Sequence, residues 1–80
     1  MRRRANDLRF AQPILLRDGT RLVRLADAER LLAALPRDRL TGPLFAAGAV
    51  VSKAMERAGA REVEDARHEL IRAFRAEGWL

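Results

Sequence analysis

The side chains best suited to acid–base chemistry lie close together in the last predicted helix. His68 is the single histidine, and Glu64 precedes it by four residues, which is about one helical turn. A carboxylate at this spacing can orient an imidazole for proton transfer. That chemistry also needs a pocket and a second catalytic group, and the sequence indicates neither. We therefore interpret His68 as a solvent-facing helix residue, since one histidine among scattered carboxylates also lacks the spacing of a metal site.

The sequence also offers no arrangement typical of a catalytic nucleophile or a phosphate-binding loop. Ser52 is the only serine and lies outside any Gly-x-Ser-x-Gly motif, and the chain has no cysteine or tyrosine. Gly42, Gly48 and Gly59 are too dispersed to form a phosphate-binding loop. The sequence therefore predicts a protein that is not an enzyme, with no catalytic, cofactor-binding or metal-binding residues.

Basic side chains offer a different chemistry, the binding of phosphates. The formal net charge is +5, and fifteen of the sixteen basic residues are arginine. Without Arg2, Arg3 and Arg4, thirteen basic side chains stand against eleven acidic ones. A flexible arm along nucleic-acid phosphates is one hypothesis, with contacts from Arg2, Arg3, Arg4 and Arg9. A second is a ribbon-type strand, Thr20–Leu25, that reads the major groove. Arginine-rich composition without a binding role is the simpler alternative.

Arg67 follows Ala66 on the inner edge of the last predicted helix. We expect its aliphatic stem to lie over the sheet while its guanidinium reaches a carboxylate or a carbonyl. Glu64, three residues earlier, is a nearby partner. A structural role is favoured over ligand binding.

The elements that position these side chains begin with a β-hairpin. Two β-rich runs flank Asp18-Gly19, a dipeptide that favours a two-residue type I′ turn. With this turn, Leu16 faces Arg21 and Ile14 faces Val23. The side expected to meet the helices then carries Phe10, Ile14, Leu16, Val23 and Leu25. Pro13 lacks an N–H donor and predicts an edge position or a bulge.

Three helices follow, predicted near Asp27–Leu35, Pro43–Ala58 and Glu62–Glu77. Asp27 is suited to the start of the first helix. Gly59 fits a left-handed cap for the second helix, and Gly78 ends the third. The predicted inward stripe of the second helix contains Leu44, Gly48, Val51, Met55 and Ala58, broadened by Ala47 and Ala54. The small residues 46–49 indicate that another backbone packs close to them.

These elements predict an α+β fold, an N-terminal antiparallel β-hairpin packed against three α-helices in the order β-β-α-α-α. Residues 1–8 are predicted to form a disordered basic tip, and residues 9–80 a single small α+β domain. A core of this size gives a thin margin of stability, and no disulfide is possible, so a homodimer is plausible. Asn6, Asp7 and Arg9 interrupt any signal-peptide run, and no membrane helix is predicted, which favours a cytoplasmic bacterial protein.

Several landmarks resemble domain of unknown function family 982, a group of short bacterial proteins. The residues that carry the resemblance are Phe10, Pro13, Ile14, Leu16, Leu31, Leu32, Pro36, Ala66, Arg67, Leu70, Ile71, Ala73 and Gly78. Leu35 stands where that family has tryptophan. The resemblance covers residues 8–78 and implies a small α+β fold, with no activity and no binding residues to transfer.

The favoured function is a non-catalytic protein-interaction module with an unknown protein partner. Strand edges available for pairing and Trp79 near the carboxyl end support this hypothesis. Trp79 either folds back onto the core or stays exposed as a contact residue. Nucleic-acid binding through the arginine-rich arm or the ribbon-type strand is the alternative.

Overall fold

The computed structural model describes residues 8–40 and 42–80, in which an antiparallel hairpin precedes three α-helices. The elements are β1 (Arg9–Leu15), β2 (Arg21–Arg24), α1 (Leu25–Ala33), a 3₁₀ turn (Arg37–Arg39), α2 (Pro43–Arg57) and α3 (Ala60–Ala76). The predicted order β-β-α-α-α is confirmed, and the sheet packs against the helices.

The hairpin turn contains three residues, so the prediction of a two-residue turn was wrong. The Leu16 N–H donates to the Thr20 carbonyl at 2.9 Å, and the Gly19 N–H donates to the Leu16 carbonyl at 3.0 Å. Gly19 has a φ of +92°, which glycine adopts readily. These features match a type I turn followed by a left-handed residue. Hydrogen bonds from the Thr20 side chain and main-chain N–H lower the pKa of Asp18 below its usual value.

The longer turn shifts the strand register by one residue from the predicted pairing. Ile14 lies opposite Leu22, and Leu15 lies opposite Arg21. Because side chains alternate between the faces of a strand, this shift buries Leu22 in place of Val23, which is only half-buried. The predicted inner face was therefore correct for β1 and wrong for β2.

An irregularity in β1 lies at the position that proline predicts. The register shifts between Arg9 and Ile14, so Arg9 lies opposite Arg24 at the far end of the hairpin. Pro13 falls inside this irregular stretch of a two-stranded sheet, which agrees with the expectation of an edge position or a bulge. Leu8, which the sequence analysis placed in the basic tip, is buried, and its carbonyl accepts the Leu25 N–H at 3.0 Å.

The start of α1 is closed by Asp27, two residues into the helix. One Asp27 carboxylate oxygen accepts the N–H groups of Arg24 and Val23, each at 2.9 Å. Main-chain donors at a helix start have no partner within the helix, so this acceptor stabilises the strand-to-helix transition. The bond from Arg24 has the largest effect and lowers the pKa of Asp27. Burial opposes it with the next-largest effect, and the bond from Val23 then lowers the pKa further.

The junction between α2 and α3 differs from the prediction that Gly59 would take the left-handed cap. Ala58 adopts the left-handed conformation with a φ of +55°, and its N–H donates to the Ala54 carbonyl at 2.8 Å. Gly59 has an extended backbone and is the N-cap residue that precedes α3. The connection has only two residues, so Ala58 must end α2 while Gly59 caps the start of α3. Alanine therefore adopts the left-handed conformation that glycine prefers.

The end of α3 is closed by Gly78, as predicted. Gly78 has a φ of +75°, and its N–H donates to the Arg75 carbonyl at 3.1 Å. The Trp79 N–H donates to the Phe74 carbonyl at 2.8 Å, which completes a Schellman motif. The Trp79 ring stacks on Phe74 with a centroid separation of 5.6 Å. The chain therefore turns back onto its own core after α3.

The core joins the hairpin to all three helices through apolar side chains alone. Among the described residues, no polar or charged side chain is buried. The buried set is Leu8, Phe10, Ile14, Leu16, Leu22, Leu25, Ala28, Leu32, Leu44, Ala47, Val51, Ala54, Val63, Ala66, Leu70, Ala73 and Phe74. Both α2 and α3 bury alanines, and small side chains let two helix axes approach closely.

Candidate functional site

The acid–base candidates are adjacent but lie on the open surface of α3. The His68 Nε2 lies 3.1 Å from a Glu64 carboxylate oxygen, and the His68 side chain is 69% exposed. Ser52 is exposed on α2. Across residues 8–40 and 42–80, no three His, Asp or Glu side chains are grouped closely enough to hold a metal ion. His68 and Glu64 therefore form an exposed pair of side chains on one helix, and they are not enclosed in a pocket.

Arg67 makes the structural contacts that the sequence predicts. Its Nε donates to the Gln12 carbonyl at 3.1 Å, and a terminal nitrogen donates to the Gln12 side-chain oxygen at 3.2 Å. A further nitrogen lies 3.4 Å from the Glu64 carboxylate. These bonds occupy the Gln12 carbonyl beside Pro13, which has no N–H. This part of β1 therefore offers few groups for pairing with another strand.

The predicted nucleic-acid contacts divide between undescribed and described residues. Arg2, Arg3 and Arg4 lie outside the described residues. Arg9 is exposed at the start of β1 and lies opposite exposed Arg24. Arg21, at the start of β2, is exposed as well. The two strands of the hairpin therefore present three arginines to solvent, and two of these are directly opposed.

The predicted protein contact, Trp79, is largely used by the chain itself. The Trp79 side chain is half-buried against Phe74. The Trp79 main-chain carbonyl accepts the Arg17 N–H at 2.7 Å. The Arg17 Nε donates to the Leu80 main-chain oxygen at 2.9 Å. Trp79 also borders an apolar groove of about 300 Å³ between the hairpin turn and α1. Of the two arrangements considered for Trp79, the structure shows the folded-back one.

The exposed apolar surface that the sequence analysis missed is on α2. Phe45 is 67% exposed, although it is the largest apolar side chain of the helix. It lies beside a groove of about 370 Å³ between α1 and α2. We call Phe45, Gly48, Ala49 and Ser52, which line this groove at spacings of three and four residues, the open face of α2. Leu32 of α1 and Leu40 add apolar walls, and Glu29 of α1 lines the groove as well.

A sequence signal for the open face exists in the first part of α2. Residues 43–52 contain no charged side chain, so this part of the helix is nonpolar on both sides. A helix that is apolar all round is typically covered all round. The sequence predicts that Gly48 lies on the inward side of the helix and that another backbone packs close to it. In the described structure, a Cβ built on Gly48 meets only the Leu32 Cδ1, at 3.8 Å, so no backbone packs there.

Comparisons with known protein families, with curated proteins and with solved structures found no match to this chain. The resemblance to domain of unknown function family 982 therefore stays a prediction. Within residues 8–40 and 42–80, no helix is both long and apolar enough to cross a membrane.

Proposed function

We propose that this protein is a non-catalytic protein-interaction module and that its docking surface is the open face of α2. The observation that carries the proposal is Phe45, an aromatic side chain two-thirds exposed at the edge of an apolar groove. Covering a phenylalanine side chain contributes about 1.5–3 kcal/mol to association. Aromatic anchors beside apolar pockets are typical of the centres of protein interfaces.

The location of the polar groups supports a binding role over a catalytic one. His68 and Glu64 are paired on an open helix surface, and Arg67 is engaged by Gln12 and Glu64. Acid–base catalysis gains from groups held in a site that excludes water. The cytoplasmic location expected from the sequence belongs to this proposal, and subcellular fractionation tests it.

A matched pair of exposed apolar residues provides the test. Leu15 is 59% exposed on β1 and does not line the α2 groove, whereas Phe45 does. We expect tagged wild-type protein and Leu15→Ser to retain the same proteins from extract of the native cell, and Phe45→Ser to lose them. Circular dichroism of each variant controls for folding. A captured set that is the same for all three proteins would contradict the proposal.

Nucleic-acid binding is a second candidate, supported by the opposed arginines of the hairpin. Like charges directly across a strand pair destabilise a sheet. Arg9 and Arg24 have this arrangement, and a bound phosphate would relieve their repulsion. Among the described residues, Arg9 and Arg21 form no ion pair with a carboxylate.

Fluorescence anisotropy with mixed-sequence DNA and RNA tests this candidate. If the hairpin binds phosphates, affinity should fall steeply with salt, and the double variant Arg9→Ser/Arg24→Ser should weaken it. Deleting residues 1–5 separates a contribution of the arm from that of the hairpin. Binding that is absent at low salt, or unchanged by both alterations, would exclude this candidate.

A further inference from the structure

We propose that the groove beside Trp79 binds a free α-amino acid that has a large apolar side chain. The groove lies between the hairpin turn, α1 and the Gly78–Trp79 segment, and its volume is about 300 Å³. It shares no residue with the open face of α2, so this inference goes beyond the proposed function. Three features carry it: the apolar walls, two opposite charges at the rim, and the hydrogen bonds that fix this rim.

The walls of the groove are apolar and come from three parts of the fold. Leu16 follows β1, Leu31 and Leu35 lie on α1 and just beyond its end, and Trp79 follows α3. Leu31, Leu35 and Trp79 are only half-buried, so part of their apolar surface is uncovered. Stacking on Phe74 fixes the Trp79 ring as one wall. Ligand pockets in proteins have mainly apolar walls and volumes from about 300 Å³ upwards, so the groove suits a small molecule with an apolar side chain.

Two opposite charges lie at the rim of the groove. Arg17 and Asp18 are exposed, and neither forms an ion pair with another of the described residues. Arg17 donates from Nε to the Leu80 main-chain oxygen, which leaves its two terminal nitrogens for another acceptor. Hydrogen bonds from Thr20 hold the Asp18 carboxylate and lower its pKa, so this carboxylate is ionised near neutral pH.

A ligand with both charges satisfies this rim best. A carboxylate can pair with the terminal nitrogens of Arg17, and an ammonium group can pair with the Asp18 carboxylate. A ligand that is only anionic is repelled by Asp18, and one that is only cationic is repelled by Arg17. A neutral apolar molecule would partly desolvate both charges without pairing either. An α-amino acid has its ammonium and carboxylate on one carbon atom beside the side chain, and the two rim charges likewise lie side by side next to the apolar walls.

The hydrogen bonds of the chain itself fix the rim against the wall. The Arg17 N–H donates to the Trp79 carbonyl at 2.7 Å, and the Arg17 Nε donates to the Leu80 oxygen at 2.9 Å. Gly78 has a φ of +75° and turns the chain toward these contacts. Because the charged rim and the Trp79 wall are joined, binding requires little further ordering of the chain, which favours affinity.

Tryptophan fluorescence of the full chain tests the inference, because Trp79 is its only tryptophan and lines the groove. We expect L-phenylalanine to change the emission in a saturable way when tryptophan alone is excited. Phenethylamine lacks the carboxylate and 3-phenylpropionate lacks the ammonium group, so each should bind at least about tenfold more weakly. An emission that L-phenylalanine leaves unchanged, or equal affinity for all three compounds, would overturn the inference.

Substitutions at the rim assign each charge to one group of the ligand. Arg17→Gln should weaken L-phenylalanine binding at least about tenfold and should not weaken phenethylamine binding. Asp18→Asn should weaken L-phenylalanine binding by a similar factor and should not weaken 3-phenylpropionate binding. A variant that only distorts the groove would weaken all three compounds together, and that result at both positions would contradict the pairing of charges.

A second Arg-Asp dipeptide provides the matched control. Arg37 and Asp38 are exposed in the 3₁₀ turn and do not line the groove. Arg37→Gln and Asp38→Asn should bind L-phenylalanine as the wild type does, and circular dichroism of each variant controls for folding. If these variants lose as much affinity as those at Arg17 and Asp18, the effect is one of overall charge and the proposed rim is wrong.

Discussion

The two faces of α2 contain similar apolar side chains, yet the chain buries only one of them. Leu44, Ala47 and Ala54 have no exposed surface, whereas Phe45 on the adjacent open face is 67% exposed. Phe45 is larger than any side chain on the buried face, so hydrophobicity alone does not decide which face is covered. The direction from which α3 packs decides it. An apolar helix in a small domain can therefore bury one face on folding and leave another apolar side chain exposed to solvent.

The largest expected effect comes from breaking the buried face. Leu44→Ala should lower the free energy of unfolding by about 2–5 kcal/mol, because it leaves a cavity at a fully buried site. Phe45→Ala should change it by less than about 0.5 kcal/mol at a protein concentration too low for association. Urea denaturation followed by circular dichroism measures both. Similar losses for the two variants would remove the distinction between the faces.

The second effect extends the comparison to Trp79, which borders the groove near the hairpin turn and stacks on Phe74. Trp79→Ala should lower the free energy of unfolding by about 1–3 kcal/mol, because the half-buried ring loses its stacking on Phe74. Capture of proteins that depends on Phe45 should stay unchanged once the folded fraction is corrected for. If Trp79→Ala keeps full stability but loses a captured partner, Trp79 is a contact residue, as the sequence analysis considered.

The third effect concerns the start of α1, where the Asp27 carboxylate accepts two main-chain N–H groups. Asp27→Ala should lower the free energy of unfolding by about 1 kcal/mol near neutral pH, because two N–H groups lose their partner. Folding lowers the pKa of Asp27 below the ordinary value of 3.8. Its contribution is therefore fully present above that value and is lost as the pH falls through the folded-state pKa.

Urea titrations of wild type and Asp27→Ala measure this pH dependence. The difference between the two proteins should shrink as the pH is lowered from neutral to about 2. Asp18→Ala should behave in the same direction, because hydrogen bonds from Thr20 also lower the pKa of Asp18 in the hairpin turn. A difference between wild type and Asp27→Ala that does not change with pH would show that the carboxylate charge has no part in closing the helix.

The smallest effect sharpens the comparison at Gly48. Gly48→Ala should raise the free energy of unfolding of the single chain by up to about 1 kcal/mol, because alanine favours the helix and the Cβ has room. The same methyl group fills part of the groove and should weaken the Phe45-dependent capture proposed above. Stability in urea and capture from the native extract should therefore change in opposite directions. A variant that is less stable than wild type and captures the same proteins would contradict this account of the glycine.

Local sequence signals predicted much of the fold. Pro43 and Gly78 mark the ends of helices, and Pro13 marks the irregular part of β1, because proline and glycine restrict or permit backbone conformations wherever they occur. Arg67 was expected to reach a carboxylate or a carbonyl, and it reaches both. The exposed position of His68 also agrees with its sequence interpretation.

The errors have a common physical origin in choices between local conformations of similar energy. Asp18-Gly19 is compatible with a two-residue or a three-residue turn, and the choice reverses the faces of β2. Gly59 suits a left-handed cap, but α3 begins at that position and leaves the cap to Ala58. Neither choice can be made from the neighbouring residues alone, because each depends on where the next element packs.

The sequence by itself determined the order of the elements, the ends of α2 and α3 to within a residue or two, and the uncharged stretch at residues 43–52. Those properties follow from backbone preferences and side-chain periodicity, which act over a few residues. Only the tertiary structure decided the hairpin register and which face of α2 remains open. Those properties depend on contacts between distant segments, since α2 packs against both α3 and α1 in a way that buries Leu44 and leaves Phe45 to solvent.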